Sequence, residues 1–412
     1  MQRTAGPQTG AVRIVERVDE LFAIGRAAGT NRPGLGAGEE AAFRRAGEWM
    51  DEAGLEVRTD RAGNLYGRLA GSVPEAAEVW AGSHLDTPPD GGRFDGALGV
   101  VAAVEAIAAI ARQGRPRRTL TAVAFRLEEG ARFGRGVFGS RALVGMLEPD
   151  EADLRDADGI SLGEAFAALG LGELPAGGWL DRPPACYLEA HIEQGPVLAD
   201  QAAALGVVTS IAGMAGLEIT FTGRRGHAGT VPMALRADAL AAAARAICSA
   251  HDAARRIPGA VCTIGRLAVL PGATNTIPGR AELFADLRAP DAAGLAALLS
   301  AVEAAVAQAA AATGCSVEVD QRWRYEPVPM SAAPTDALRR AIERLGLPAV
   351  ELPSGAGHDA AILATAGVPA AMLFVRSDAG GVSHAPEEHT AIDAVAACAA
   401  ALEQALRELA GG

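Results

Sequence analysis

Short apolar runs, each closed by a histidine or a pair of acids, limit this chain's fold more than any other feature. Positions 79–82 lead to His84, 120–127 to Glu128 and Glu129, and 187–190 to His191. An open α/β sheet gathers its chemistry at the carboxyl ends of its strands, so these runs predict ligands along one sheet edge. Between them the pattern is helical. Residues 11–29 and 38–54 read as amphipathic helices; in the second, Phe43, Ala46, Trp49 and Met50 recur at helical spacing and Gly54 ends it. Residues 56–69 read as strands around a turn at Gly63-Asn64, and 96–112 as a packed helix despite Glu105. Strands alternating with helices imply βαβ units and a mainly parallel sheet.

The texture changes near residue 210. Strands are expected at 217–222, 261–270, 281–288 and 316–323, with helices at 231–255 and 292–311. That order, β-α-β-β-α-β, is the split βαβ sandwich. The alternation from Glu282 to Arg288 suits a sheet with one wet face. A helix near 335–345 and a strand at 370–375 restore the first pattern. The expected fold class is therefore α/β. A doubly wound mixed sheet forms a catalytic domain from 1–209 and 326–412, and an α+β, ferredoxin-like domain is inserted at 210–325. Residues 150–185 look irregular.

Composition narrows the partners. Half the residues are hydrophobic but aromatics are only 4%, so the core must be built from Ala, Val, Leu and Ile. All 37 basic residues are arginine, which reads as genome composition rather than function. The formal charge of -13 argues against nucleic acid or an anionic membrane as partner. It leaves a small anionic substrate open. The N-terminus shows no apolar signal core, and no window looks long and apolar enough for a membrane span. Cys186, Cys248, Cys262, Cys315 and Cys398 are scattered and odd in number, which suits buried thiols in a reduced, cytoplasmic setting.

Oxygen and imidazole donors without cysteine suit a hydrolytic divalent metal site. Asp86 lies two positions after His84, near enough to hold its second ring nitrogen. A loop histidine beside a capping Asp explains the same pair. Asp95 directly precedes a helix, and as an N-cap it needs no metal. Glu128 and Glu129 repel each other unless a cation or proton intervenes. One can bind metal while the other, its pKa raised, serves as general base; a solvated acidic turn is the plainer alternative. His191 and His384 are weak signals singly. Five candidate ligands in one chain make the joint metal reading the stronger one. In the inserted domain, His227, Asn275 and Arg288 could steady an oxyanion or a carboxylate, although turn and strand roles suit each. The turn with Gly355, Gly357 and His358 can offer backbone N–H groups to an anion but lacks phosphate-loop spacing. His251 reads as surface.

Taken together, the motifs are similar to those of a known family. They are Gly82-Ser83-His84-Leu85-Asp86-Thr87, Gly91-Gly92-Arg93-Phe94-Asp95-Gly96 and Glu128-Glu129-Gly130-Ala131-Arg132-Phe133. With them go His191-Ile192-Glu193-Gln194-Gly195-Pro196, Gly226-His227-Ala228-Gly229-Thr230, Asn275-Thr276-Ile277-Pro278-Gly279, Asp286-Leu287-Arg288 and Ser354-Gly355-Ala356-Gly357-His358-Asp359. Over nearly its whole length the chain resembles the M20-type metallopeptidase superfamily. Within it, the likeness is to the amidase branch of N-carbamoyl-L-amino-acid hydrolases, allantoate amidohydrolases and β-ureidopropionases. His191, where peptidase relatives often carry a carboxylate, favours that branch.

The resemblance implies two divalent metal ions, zinc or manganese, cobalt or nickel. His84, Asp95 and His191 would bind one; Asp95, bridging, would share the second with Glu129 and His384. Asp86 would orient His84, and Glu128 would take a proton from water and pass it to the leaving nitrogen. Gln194, His227, Asn275, Arg288 and the turn of Gly355, Gly357 and His358 would hold a small ureido carboxylate. The inserted domain would act as lid and homodimer contact, with His227 open to acting across the dimer. Arg126-Leu127, Pro88-Pro89 and Ala199 depart from the family pattern without removing a ligand. The reaction implied is hydrolysis of an N-carbamoyl-L-amino acid, with allantoate as alternative. An aminopeptidase or deacylase, or a metal-dependent binding protein, stands further off.

Overall fold

The computed structural model describes residues 7–27 and 31–411. The chain divides into two compact units. One takes the residues up to Thr209 with Met330–Leu352 and the chain from Gly357 onward; the other takes Ser210–Pro329 and Pro353–Ala356.

The first unit is built on a mixed sheet. Its spatial order runs Glu56–Thr59, Leu65–Leu69, Leu120–Phe125, Val79–His84, Cys186–Ile192, Ala370–Val375, Leu205–Ile211. Pairing is parallel among the four central strands, from Leu120–Phe125 to Ala370–Val375. The pairs Glu56–Thr59 with Leu65–Leu69, Leu65–Leu69 with Leu120–Phe125, and Ala370–Val375 with Leu205–Ile211 are antiparallel, so the sheet is mixed and its centre is the parallel part that was expected. Every residue of the four central strands is buried, because helices cover both faces. Side chains alternate between those faces. Val79, Ala81, Leu188, Ala190, Leu373 and Val375 join one core with the helices Ala97–Ala111 and Ile392–Leu409. On the other face, the short helix Asp359–Thr365 packs on Cys186–Ile192 and Ala370–Val375.

Ala97–Ala111 is buried nearly all round. Its one acid, Glu105, is held there by Arg17 at 2.6 Å and Arg13 at 3.3 Å. Those arginines come from the first helix, Pro7–Ala27, which starts before the predicted residue 11. The predicted end at 28–29 lies outside the described residues. The second helix is Ala37–Glu52, and Gly54 follows it at φ +74°. The turn at Gly63-Asn64 is made by Asp60, whose Oδ1 accepts from the amides of Ala62 and Asn64, each at 2.9 Å. Residues 150–185 are less irregular than expected. The helix Leu162–Ala168 is started by a capping box in which Ser161 and Glu164 satisfy each other's amides.

The second unit is a four-stranded antiparallel sheet, ordered Ser316–Tyr325, Gly213–Thr222, Arg280–Ala289, Val261–Leu270. The helices Ala239–Ala254 and Ala292–Thr313 pack on it around Leu217, Phe221, Leu283, Leu287, Leu298 and Val302. The first of these helices starts eight residues later than predicted. Pro232 opens a short 3₁₀ turn, and Asp238 then caps the helix by accepting from the amides of Leu240 and Ala241. Ala292–Thr313 is long and apolar enough, by length and composition, to cross a membrane, contrary to the reading of the sequence. Its stripe of Leu295, Leu298, Leu299, Val302 and Val306 is buried in this unit's core.

Candidate metal centre

Parallel register puts the key residues at one sheet edge. His84 pairs with Phe125, so Glu128 and Glu129 leave their strand just beyond it. His191 pairs with Phe374 on its other side. Asp95 comes from the turn before Ala97–Ala111, and His384 from the loop before Ile392–Leu409.

The side chains converge. His84 Nε2 and His191 Nε2 lie 3.4 and 3.2 Å from Asp95 Oδ1. His384 Nε2 lies 3.4 Å from Asp95 Oδ2 and 3.4 Å from Glu129 Oε2. Each Asp95 oxygen thus serves a different set of donors. Three ligand groups have all their donor atoms within 4.8 Å of one another: His84, Asp95 and His191; His84, Glu128 and Glu129; and Asp95, Glu129 and His384. Asp86 faces His84 Nδ1 through its backbone oxygen at 3.2 Å and Oδ1 at 3.3 Å. The same carboxylate accepts from the amides of Glu128 at 2.9 Å and Glu129 at 3.1 Å. It therefore positions the acidic pair as well as the histidine. His191 Nδ1 meets the Ile192 carbonyl at 2.9 Å, which turns Nε2 toward Asp95.

Backbone strain collects here. Leu127, Gln194 and His384, all non-glycine, sit at φ +51°, +57° and +55°. Gly96, at φ +61° and ψ -51°, centres a tight turn in which the Ala97 amide donates to the Asp95 carbonyl at 2.6 Å. A Cβ there would land on the His84 imidazole. Gly92 is required by a different neighbour, because its Cβ would strike the Glu388 carboxylate.

Glu388 is a site residue that the sequence reading did not assign. It is buried, whereas Glu387 beside it is exposed. Its Oε1 accepts from the amides of Phe94 at 2.6 Å and Asp95 at 3.0 Å, and its Oε2 from Ser383 Oγ at 2.9 Å. Arg126, a departure from the family pattern, is structural. It pairs with Glu39 and Glu40, donates to the Gly63 carbonyl at 3.1 Å and lies over Phe43.

The electrostatics fit a cation. Burial pushes the Glu128 carboxyl well above the usual range, and Glu129, Asp359 and Asp86 add to the push that His84 opposes. Burial, then Asp95, raises Glu129 to about 8. Asp95 is held well below its ordinary value because His191, His384 and His84 outweigh its burial. Glu129 Oε1 is buried without a hydrogen-bond partner. A crowd of buried carboxylates with an unpaired oxygen, facing three imidazole nitrogens, is the donor set that divalent ions take.

The other predicted residues divide by unit. Gln194 joins the cluster, its amide donating to Asp95 Oδ2 at 2.7 Å. His358 is buried with its ring edge-on to His191, 4.7 Å between centroids; burial and His191 keep it neutral. In the second unit, His227 and Asn275 are exposed neighbours across a two-residue ladder. Arg288 has its fork on Asp286 at 2.8 and 3.0 Å and donates to the Gly355 carbonyl at 2.6 Å. His251 is exposed.

Comparison with known proteins is consistent with this geometry. The family model described as peptidase family M20/M25/M40 matches residues 72–408. An N-carbamoyl-L-amino acid amidohydrolase from Geobacillus stearothermophilus is 40% identical over 405 residues, covering 97% of this chain and 98% of that protein. An allantoate amidohydrolase from Bacillus subtilis is 37% identical over 357 residues, covering 83% and 86%. The crystal structure of a hydantoinase/carbamoylase family amidase from Burkholderia multivorans superposes with a TM-score of 0.89 at 36% identity, covering 98% of each chain.

Proposed function

The chain belongs to peptidase family M20/M25/M40, and on that footing we propose that it is an amidohydrolase cleaving a linear C–N amide of a ureido or carbamoyl substrate. The substrate assigned is an N-carbamoyl-L-amino acid, giving the amino acid, carbon dioxide and ammonia. The observation that carries this is Asp95 placed between two sets of donors with Glu128 beside them.

His84, Asp95 and His191 would hold one divalent ion, and Asp95, Glu129 and His384 a second. Such ions supply Lewis acidity to a carbonyl and to water. Glu128 accepts a proton from the attacking water and returns it to the leaving nitrogen; its buried, raised carboxyl suits both steps. Asp86 fixes the ring of His84 and the backbone of Glu128 and Glu129. The candidate substrate contacts are Gln194, Gly357 and His358 on the first unit and His227, Asn275, Arg288 and Gly355 on the second. Arg288 must give up part of its contact with Asp286 to fork onto a substrate carboxylate. A homodimer through the second unit belongs to the same proposal, supported by Val261, Leu267, Leu270, Val319 and Tyr325 exposed on its sheet. The cytoplasmic assignment is supported by five unpaired cysteines, of which Cys186 and Cys398 are buried and Cys248 exposed.

Allantoate is the second reading, favoured by the similarity to a protein of that activity. Metal-loaded protein offered N-carbamoyl-L-methionine, allantoate and a dipeptide side by side decides between them. Ammonia from the first above the others supports the assignment. Preference for allantoate transfers it to the second reading, and release of amino acids from the dipeptide alone sinks both.

A further inference from the structure

Arg32 is fully buried, at 0% exposure, and makes no ion pair among the described residues. Its Nε donates to the Leu85 carbonyl at 2.7 Å and its Nη1 to the Leu21 carbonyl at 3.1 Å, while Nη2 has no partner. A buried guanidinium without a direct counter-ion is costly, so the surroundings must compensate it. Leu85 stands between His84 and Asp86, so the carbonyl that Arg32 grips belongs to the turn carrying both.

The backbone around Arg32 is tied to the same loop. The Arg32 amide donates to Thr87 Oγ1 at 3.0 Å, the Thr87 amide to the Arg32 carbonyl at 3.0 Å, and Asn31 Nδ2 to the Gly91 carbonyl at 2.8 Å. Gly25 and Gly38 make room for this strap, since a Cβ at either would come within 2.9 Å of Asn31's backbone. Asp86, Asp95, Glu388 and Glu129 are the charges that favour the cation against its burial.

We propose that Arg32 is a positioning residue of the metal centre, anchoring the His84–Asp86 turn through the Leu85 carbonyl and supplying the fixed counter-charge to the acidic cluster. This rests on the two-ion reading above. Loss of Arg32 lets the turn shift and the ligands lose register, so metal is held less tightly. The nearness of a like charge would alone predict the reverse, tighter binding when Arg32 is removed, so the sign discriminates.

The test is chelator competition for zinc and manganese on the full chain and on R32M, R32K and R32A. R32M keeps the bulk without the charge, and its retention should fall about 10–100-fold, the range for losing an outer-shell partner. R32K keeps the charge but reaches one carbonyl, so its retention should fall only several-fold. Guanidinium added to R32A should restore retention, and urea, its neutral isostere, should not. R32M holding metal as tightly as the parent or tighter, or rescue by urea equal to that by guanidinium, overturns the proposal. Should R32M and R32A fail to fold, R32K decides, and retention equal to the parent's overturns it. A parent chain that binds no divalent ion overturns the metal reading and the role of Arg32 with it.

Discussion

Gly96→Ala is the substitution whose outcome the geometry constrains most. Gly96 stands at φ +61° and ψ -51°, a backbone that L side chains rarely adopt. Holding alanine there costs roughly 1–3 kcal/mol in strain. Its Cβ would also fall on the His84 ring, adding roughly 1–3 kcal/mol of overpacking unless the ring moves. The sum, about 2–6 kcal/mol, is a large share of the ~5–15 kcal/mol that holds a folded chain together. If the ring does move, His84 loses its place 3.4 Å from Asp95 Oδ1, and metal affinity falls instead of stability. Urea unfolding of metal-free protein measures the first effect and chelator competition the second. Gly265→Ala is the control, since a Cβ there meets nothing within 4 Å; it should change stability by less than about 0.5 kcal/mol. Gly96→Ala matching that control in both assays would refute the reasoning.

Two further outcomes follow from the same site. Glu388→Ala leaves the buried amides of Phe94 and Asp95 without an acceptor, at about 1–3 kcal/mol each. Unfolding midpoint and metal retention should both drop, whereas Glu388→Gln, which still offers an oxygen, should recover most of the loss; equal behaviour of the two variants contradicts the hydrogen-bond role. Metal-free protein should lose stability as pH rises. Glu129 keeps its proton in the folded chain up to about 8 but releases it near 4.5 when unfolded, so its share is full below about 4.5 and gone above about 8. Glu39, raised to about 7 by burial, adds a smaller loss in the same direction. Saturating divalent metal should cancel the share of Glu129 and leave that of Glu39; thermal melts from about pH 5 to 9 that are flat without metal would contradict this.

Much of this was legible where local pattern and tertiary context agree. The strands Val261–Leu270 and Ala370–Val375 match their predicted bounds, because β-branched and apolar runs there have one role to fill. The helix predicted at 231–255 overran because Val231 and Met233–Leu235 are apolar, while Pro232 and the cap at Asp238 delay the start to Ala239. Leu205–Ile211 follows the alanine run at 202–204, which suits a helix as well as a strand, and its local strand signal is Val207 and Val208. Within the site, His84, Glu128, Glu129 and His191 stood out as metal-binding residue types at strand ends, whereas Asp95 and His384, in loops, took their roles from the family resemblance. Glu388 could not be told from Glu387, since only the loop's three-dimensional course buries one and exposes the other. Arg32 carried no signal at all. Nothing local distinguishes a buried arginine from a solvated one, and its role comes from contacts 53 and 55 residues away.

The central claim is that these residues form a two-ion hydrolytic centre with Glu128 as its base. Glu128→Gln tests it most directly, with metal content and ammonia release from N-carbamoyl-L-methionine measured on the same sample. Glutamine keeps the shape but cannot accept the proton. Two ions per chain, as in the parent, are expected, with turnover reduced at least about 100-fold. Full turnover in that variant, or a parent that releases ammonia with no divalent ion bound, would contradict it.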